Sequence, residues 1–346
     1  MAVSLNDLVF KLDVGTSKNL ASAFSDPSQY SKVLFMTTPT VDKTYGSGVF
    51  EQLDNMWEVQ KYIFDDNTIE KAHQLAEEII SKGFNLVVAL GGGKVLDFCK
   101  YASHVAKVHM MSIPTTLSND SIASPIAVLK MKNDITKSLY CEIPKYLIVD
   151  IDILKNSPAH LIRAGIGDTI SNYMAIYDWD LAVEKGKDEY NGYAYITSLN
   201  ALNSIKSCKY DFDDINFIFC LANGLVLSGM SMRINGSSRP VSGSEHLFGH
   251  ALDVTAKKPP LHGIGVALGT IATLRLAGID DNFVLDILKK YEVDINPQSL
   301  GIELDEFAAA IKLAPTIKPE RYTYLNQINT SYDNLIKLYE GLVKDL

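Results

Sequence analysis

The chain has 346 residues, 47% hydrophobic and 21% charged, the balance of a globular protein with room for two domains or one large one. Its net charge of −9 excludes broad nucleic-acid binding, because neutralising phosphates takes a surplus of lysine and arginine. A small anionic substrate stays within reach, since one local cluster of donors suffices for it.

In chain order, the opening MAVSLNDLVF is too polar for a signal peptide. Lys32 to Thr37 (KVLFMT) reads as a strand closed by Pro39, and residues 67 to 82 as a helix. Ile69, Ala72, Leu75, Ala76, Ile79 and Ile80 give that helix its apolar stripe, and Gly83 its C-cap. Leu86 to Leu90 (LVVAL) is a continuous apolar strand, residues 94 to 106 a helix, Val108 to Ile113 a strand, and Tyr146 to Val149 another. Strands alternating with helices imply βαβ crossovers and a mostly parallel sheet.

After about residue 155 helical patterns follow one another, at 158–182, 191–207, 212–233, 242–254, 262–277, 281–291, 304–313 and 331–344. The expectation is an α/β domain over 1–155 and an all-helical domain over 156–346. The apolar stretch Ile215 to Met232 carries Asn216, Asn223, Gly224 and Ser228, and reads as a buried helix rather than a membrane span. Cys99, Cys141, Cys208 and Cys220 form no C-x-x-C pair. They read as buried free thiols, consistent with a reducing, cytoplasmic setting.

Two polar loops follow probable strands. In LVVALGGGKVLDFCKYA, Gly91, Gly92 and Gly93 let backbone approach a phosphate, and the new helix offers N–H groups and a partial positive charge. Lys94 adds a cation, and Asp97 lies in the first turn. The pattern is neither G-x-G-x-x-G nor a Walker loop, so a tight turn without a ligand remains the plain alternative. In IPTTLSNDSIASP, Thr115, Thr116 and Ser118 suit phosphate or ribose, and Asp120 a substrate hydroxyl; an ordinary helix cap by Asn119 or Asp120 is the alternative. Asp42, after the first strand, favours an unphosphorylated ribose, but Lys43 beside it leaves NAD and NADP both open.

Of seven histidines, His246, His250 and His262 fall within seventeen residues. Two imidazoles and a carboxylate bind zinc, iron or a similar divalent ion with positions left for substrate. Spacing alone pairs His246 with His250, at i, i+4 on one helical face, with His262 a neighbour. Asp168 in GIGD is the candidate carboxylate, and it reads equally as a helix N-terminal charge.

Together GGGKVLD, IPTTLSNDSIAS, GIGDTISN, SGSEHLFGHALD and LHG, in this order over about residues 86 to 266, resemble the glycerol-1-phosphate dehydrogenase branch of the iron-containing alcohol dehydrogenase superfamily, which also holds dehydroquinate synthase. The resemblance implies a Rossmann-like domain followed by a helical one, with the active site in the cleft between, and a homo-oligomer. It assigns a divalent metal, zinc before iron or nickel, to Asp168, His246 and His262, and makes His250 a substrate contact. That reverses the pairing suggested by spacing. It carries the dinucleotide contacts to Gly93, Lys94, Val95, Leu96 and Asp97, next to the Gly91 and Gly92 of the turn, and also to Thr115, Thr116, Leu117, Ser118 and Ser124. Asp120 and Asp168 would touch substrate. Ser121 stands where the pattern has glycine, and LHGIG lacks the acidic residue that often follows LHG.

The implied chemistry is reversible hydride transfer between an alcohol and a ketone, with NAD or NADP, on a polyol or triose phosphate. Glycerol 1-phosphate and dihydroxyacetone phosphate are the preferred pair. Lys130, Lys132, Arg239 and Lys257 are candidate phosphate donors. The rivals are a dehydrogenase for free glycerol or another polyol, and a cyclase of dehydroquinate synthase type. The latter uses a glutamate at the metal and a more basic cleft.

Overall fold

A computed structural model describes residues 8–132, 136–328 and 330–346. Most of the amino-terminal stretch read as too polar for a signal peptide lies outside them. The chain divides into two compact units, residues 1–158 and 159–346.

In the first unit the strands are β1 (Val9–Asp13), β2 (Lys32–Thr37), β3 (Glu58–Ile63), β4 (Leu86–Gly91), β5 (His109–Pro114), β6 (Ile126–Lys130), β7 (Thr136–Tyr140) and β8 (Tyr146–Asp150). Six of them form one parallel sheet in the order β1-β8-β5-β4-β2-β3, while β6 and β7 pair as a separate antiparallel hairpin. The helices are α1 (Pro39–Val41), α2 (Ser47–Asp54), α3 (Ile69–Lys82), α4 (Gly93–Ala106) and α5 (Ile151–Leu154). β4 and β8 are buried along their whole length, as continuous apolar runs in a parallel sheet must be. On one face Val33, Phe35, Val88, Leu90, Met111 and Ile113 pack with Phe24, Trp57 and Tyr146. Each such side chain contributes about 2 kcal/mol of burial.

Four strands escape the sequence reading for one reason. β1 and β3 are the two edges of the sheet, and β6–β7 is an isolated hairpin; each exposes a face, so its sequence mixes polar and apolar residues. Gly83 does close α3, with φ at 73°, but Ile80 faces solvent at 62% exposure and leaves the apolar stripe.

In the second unit the helices are α6 (Ala159–Ile170), α7 (Asn172–Glu184), α8 (Gly192–Lys206), α9 (Ile215–Asn235), α10 (Ser244–Thr255), α11 (His262–Ala277), α12 (Asn282–Lys290), α13 (Leu304–Ile317) and α14 (Tyr332–Asp345). The single helix expected over 158–182 is thus two, broken at Ser171, whose hydroxyl bonds back to Asp168 O at 2.7 Å. Helix α9 is long and apolar enough to cross a membrane by composition, yet 61% of its most apolar window is buried inside the unit, largely against α8. Cys99 and Cys141 are buried, whereas Cys208 and Cys220 are only partly so, and all four are free thiols.

Glycines set how closely α6, α10 and α11 approach. A Cβ on Gly263 would fall 1.9 Å from Ala164 O, and one on Gly167 2.2 Å from Gly263 O. One on Gly269 would fall 2.6 Å from Glu245 O. Only residues without a side chain allow this backbone-to-backbone contact.

Candidate metal centre and nucleotide turn

Where α6 crosses the start of α11, Asp168 and His262 meet. Asp168 lies in the last turn of α6, not near a helix start as its place after two glycines suggests. The negative end of the helix dipole disfavours a carboxylate there, so the position calls for a nearby positive charge. His262 is the first residue of α11, its Nε2 3.6 Å from Asp168 Oδ1. His246, in the first turn of α10, brings its Nε2 to 3.7 Å from the same oxygen.

One donor atom from each of Asp168, His246 and His262 lies within 4.8 Å of the others. A tetrahedral ion with ligands at 2.0–2.1 Å holds them about 3.4 Å apart, so these residues suit a divalent cation with small adjustments. The i, i+4 partner His250 stands outside the cluster. Its ring centre is 6.3 Å from that of His246 and 5.5 Å from that of His262, and its Nδ1 lies 3.7 Å from Asp253.

Glu245, which the sequence reading passed over, is fully buried beside the cluster. Its Oε1 lies 2.9 Å from His246 Nδ1 and also accepts the Gly243 N–H at 2.7 Å. A carboxylate oxygen only accepts, so Nδ1 carries the hydrogen and Nε2 is left to face Asp168 and any cation. Burial opposes charge on His246, but hydrogen bonds to Asp168 and Glu245, and their charges, outweigh it and raise its pKa to about 9. Burial drives His262 the other way, down to about 4, against the pull of Asp168. Two carboxylates thus draw positive charge into a pocket whose second imidazole stays a neutral donor. The signal for Glu245 was available: a glutamate adjacent to a ligating histidine at a helix start.

The α10 start is itself anchored. Buried Asp178 accepts Ser244 N, Ser244 Oγ at 3.0 Å and Tyr324 N at 2.6 Å. Two sequence candidates for a phosphate donor are committed elsewhere in this unit. Arg239 is buried, paired with Asp188 at 3.0 Å and donating to Asp178 O and Tyr322 O, while Lys257 is exposed and paired with Glu303.

In the first unit the three glycines serve proximity rather than an unusual backbone angle. Gly91 ends β4, Gly92 is the N-cap of α4 at φ −81°, and Gly93 begins the helix. A Cβ on Gly92 would lie 3.1 Å from Thr116 Oγ1, and one on Gly93 2.9 Å from Ser121 Oγ. Thr115 N donates to Gly91 O at 2.9 Å. The glycine turn and the Thr115–Ser124 loop therefore form one polar surface at the carboxyl ends of β4 and β5, where ligands of such sheets bind. Ser121 Oγ is buried there without a hydrogen-bond partner, a donor suited to a phosphate beside the helix start.

The other residues of the turn and loop differ in what they expose. Lys94 is exposed, but Val95 and Leu96 point inward, leaving only their backbone to a ligand. Asp97 is buried against Lys100 at 3.0 Å and takes Val128 N at 3.1 Å; Lys100 also donates to Ser121 O and Ile126 O. This pair ties the loop and the β6–β7 hairpin to α4. Leu117 and Ser124 are buried, the latter donating to Ile126 O at 3.3 Å, while Thr116, Ser118 and Asp120 are half exposed. Asn119 caps the short turn at Asp120, accepting Ser121 N at 3.1 Å. Asp42 is paired with Lys61 at 2.8 Å, which offsets the charge that would discriminate between NAD and NADP.

Residues 11–158 match the family described as iron-containing alcohol dehydrogenase. A glycerol-1-phosphate dehydrogenase [NAD(P)+] from Aeropyrum pernix is 39% identical over 86% of this chain and 85% of its own length. One from Saccharolobus islandicus is 35% identical over 91% and 90%. Among solved structures, a probable glycerol dehydrogenase from Sinorhizobium meliloti superposes with a TM-score of 0.75 at 16% identity, covering 96% of this chain and 95% of its own. The helical remainder, the parallel sheet and these relatives place the chain in the iron-containing alcohol dehydrogenase family, in its glycerol-1-phosphate dehydrogenase branch.

Proposed function

We propose that the protein interconverts sn-glycerol 1-phosphate and dihydroxyacetone phosphate with NAD or NADP, using one divalent metal ion held by Asp168, His246 and His262. The observation that carries this reading is the convergence of those three donors, with Glu245 behind His246, in a chain whose 35–39% identical relatives bear the name glycerol-1-phosphate dehydrogenase. Zinc is the first choice of metal, since two imidazoles and a carboxylate are a donor set that would hold it with a position left for substrate.

When bound, the ion supplies a Lewis acid for the substrate oxygen and the nicotinamide a hydride donor or acceptor. The chain's own residues do the rest. Gly91 to Gly93, with Thr116, Ser118 and Ser121, hold the dinucleotide phosphates and ribose. Glu245 fixes the His246 tautomer. Asp120 orients a substrate hydroxyl. His250, whose pKa burial lowers, is neutral at physiological pH and takes or gives a proton at the substrate, with Asp253 steadying Nδ1. We place the enzyme in the cytoplasm, in keeping with four free thiols, and expect it to work as a homo-oligomer.

A chelator should abolish NADH- or NADPH-linked reduction of dihydroxyacetone phosphate, and added zinc should restore it. Full turnover by metal-free protein would refute the mechanism. A panel comparing dihydroxyacetone with its phosphate separates this reading from a free-polyol dehydrogenase.

A further inference from the structure

The turn that follows α13 carries two cations with no carboxylate within 4.0 Å. Lys318 ends the helix, and Arg321 N donates to Lys318 O at 2.9 Å, so both side chains leave one turn. They converge on one hydroxyl: Lys318 Nζ lies 3.4 Å and Arg321 Nη2 3.1 Å from Ser238 Oγ. Arg321 Nη1 also donates to Ser242 O at 2.5 Å. Among the described residues the two fully buried Lys and Arg side chains each have a carboxylate within 4.0 Å, Lys100 with Asp97 and Arg239 with Asp188. Lys318 and Arg321 have none. Burial lowers the pKa of Lys318 to about 8, and Arg321 beside it adds to that effect. Arg321 falls to about 10 by burial and the charge of Arg239, against the opposing pull of Glu245, Glu320 and Asp188. Two half-buried like charges held side by side are costly in a chain of net charge −9 unless an anion completes them.

Their location says which anion. Ser238 and Ser242 belong to the loop that runs straight into Gly243, Ser244, Glu245 and His246. The charge of Lys318 also reaches His250, where it adds to burial and to His246 in favouring the neutral imidazole. We propose that Lys318, Arg321 and Ser238 form the subsite for the phosphate of the substrate, a phosphate monoester dianion, beside the Asp168–His246–His262 cluster. This assignment rests on the proposed phosphorylated substrate. It gives the phosphate the planar donor pair of an arginine, a lysine charge and a hydroxyl, the chemistry by which proteins hold phosphate.

The test compares Lys318→Gln and Arg321→Lys with the wild type, all metal-loaded. It reads kcat/KM for dihydroxyacetone phosphate and for free dihydroxyacetone, and the thermal shift given by inorganic phosphate. Loss of one charge-assisted contact should lower the phosphate-to-free ratio about 10–100-fold in Lys318→Gln. Arg321→Lys should lower it less, and the phosphate shift should shrink in both. A ratio within about twofold of wild type in both variants would overturn the subsite, while leaving the substrate assignment standing. If the wild type turned over only free dihydroxyacetone, the substrate assignment would fall instead. The phosphate shift then decides the subsite: present in wild type and lost in Lys318→Gln it stands, and absent from wild type it falls.

Discussion

The two units use glycine in opposite ways. In the nucleotide turn, Cβ atoms on Gly92 and Gly93 would meet side-chain hydroxyls, Thr116 Oγ1 and Ser121 Oγ, at 3.1 and 2.9 Å. At the crossing of α6 and α11, Cβ atoms on Gly167 and Gly263 would meet backbone oxygens at 2.2 and 1.9 Å. A hydroxyl rotates aside, whereas a helix carbonyl moves only with its helix. The first pair therefore brings a polar loop against the turn in a contact that side chains can relax. The second pair lets two helices touch, and that contact is what sets Asp168 opposite His262.

Gly263→Ala should have the largest effect. Separating α6 from α11 is overpacking against backbone and should cost about 3 kcal/mol of stability in the helical unit. It also carries His262 away from Asp168. We expect a lower thermal midpoint together with loss of bound metal by elemental analysis. Full metal content in a folded Gly263→Ala protein would show that the crossing does not set the site.

Glu245→Gln probes the same unit without moving backbone. The amide oxygen still accepts from His246 Nδ1 and Gly243 N, so the shape persists while the charge goes. An outer-shell partner of this kind is worth about 10–100-fold in metal affinity. The removed carboxylate is also one of the two that raise the pKa of His246 to about 9. Between the ordinary histidine value and about 9 the wild-type imidazole holds a proton that a metal must displace, so wild-type affinity should climb with pH across that window. In Glu245→Gln the climb should finish at lower pH. Chelator competition at several pH values reads both effects; wild-type affinity and pH dependence in the variant would break the assignment of Glu245.

The sequence showed the central strands and most helices because those elements are buried on a regular period. Leu86–Leu90 and Tyr146–Val149 are apolar throughout since helices cover both faces of a parallel sheet. β1 and β3 were illegible because an edge strand needs no such run. The site was half legible. Histidine spacing found α10 but favoured His246 with His250, because residues on one helix are neighbours in sequence whereas Asp168 and His262 become neighbours only through two glycines that touch across helices. Motif resemblance supplied that pairing. It was silent on Lys318 and Arg321, which lie about seventy residues beyond His246 in a turn with no motif, and of the candidate donors chosen by charge alone, Arg239 has its charge spent on Asp188.

The smallest structural effect expected is that of Gly92→Ala, and it sharpens the contrast most. Gly92 sits at φ −81° and ψ 178°, angles any residue adopts. Its new methyl group would press on Thr116 Oγ1 at 3.1 Å, a side-chain atom able to turn away, and alanine loses less chain entropy on folding than glycine. Stability should therefore change by less than about 1 kcal/mol in either direction. If the space beside Gly92 receives the dinucleotide phosphates, the same methyl group should raise the KM for NADH or NADPH about tenfold, leaving metal content at the wild-type level. A variant as stable as wild type with an unaltered nucleotide KM would mean that the space is not where the nucleotide lies, and that these glycines, like those of the helical unit, serve packing alone.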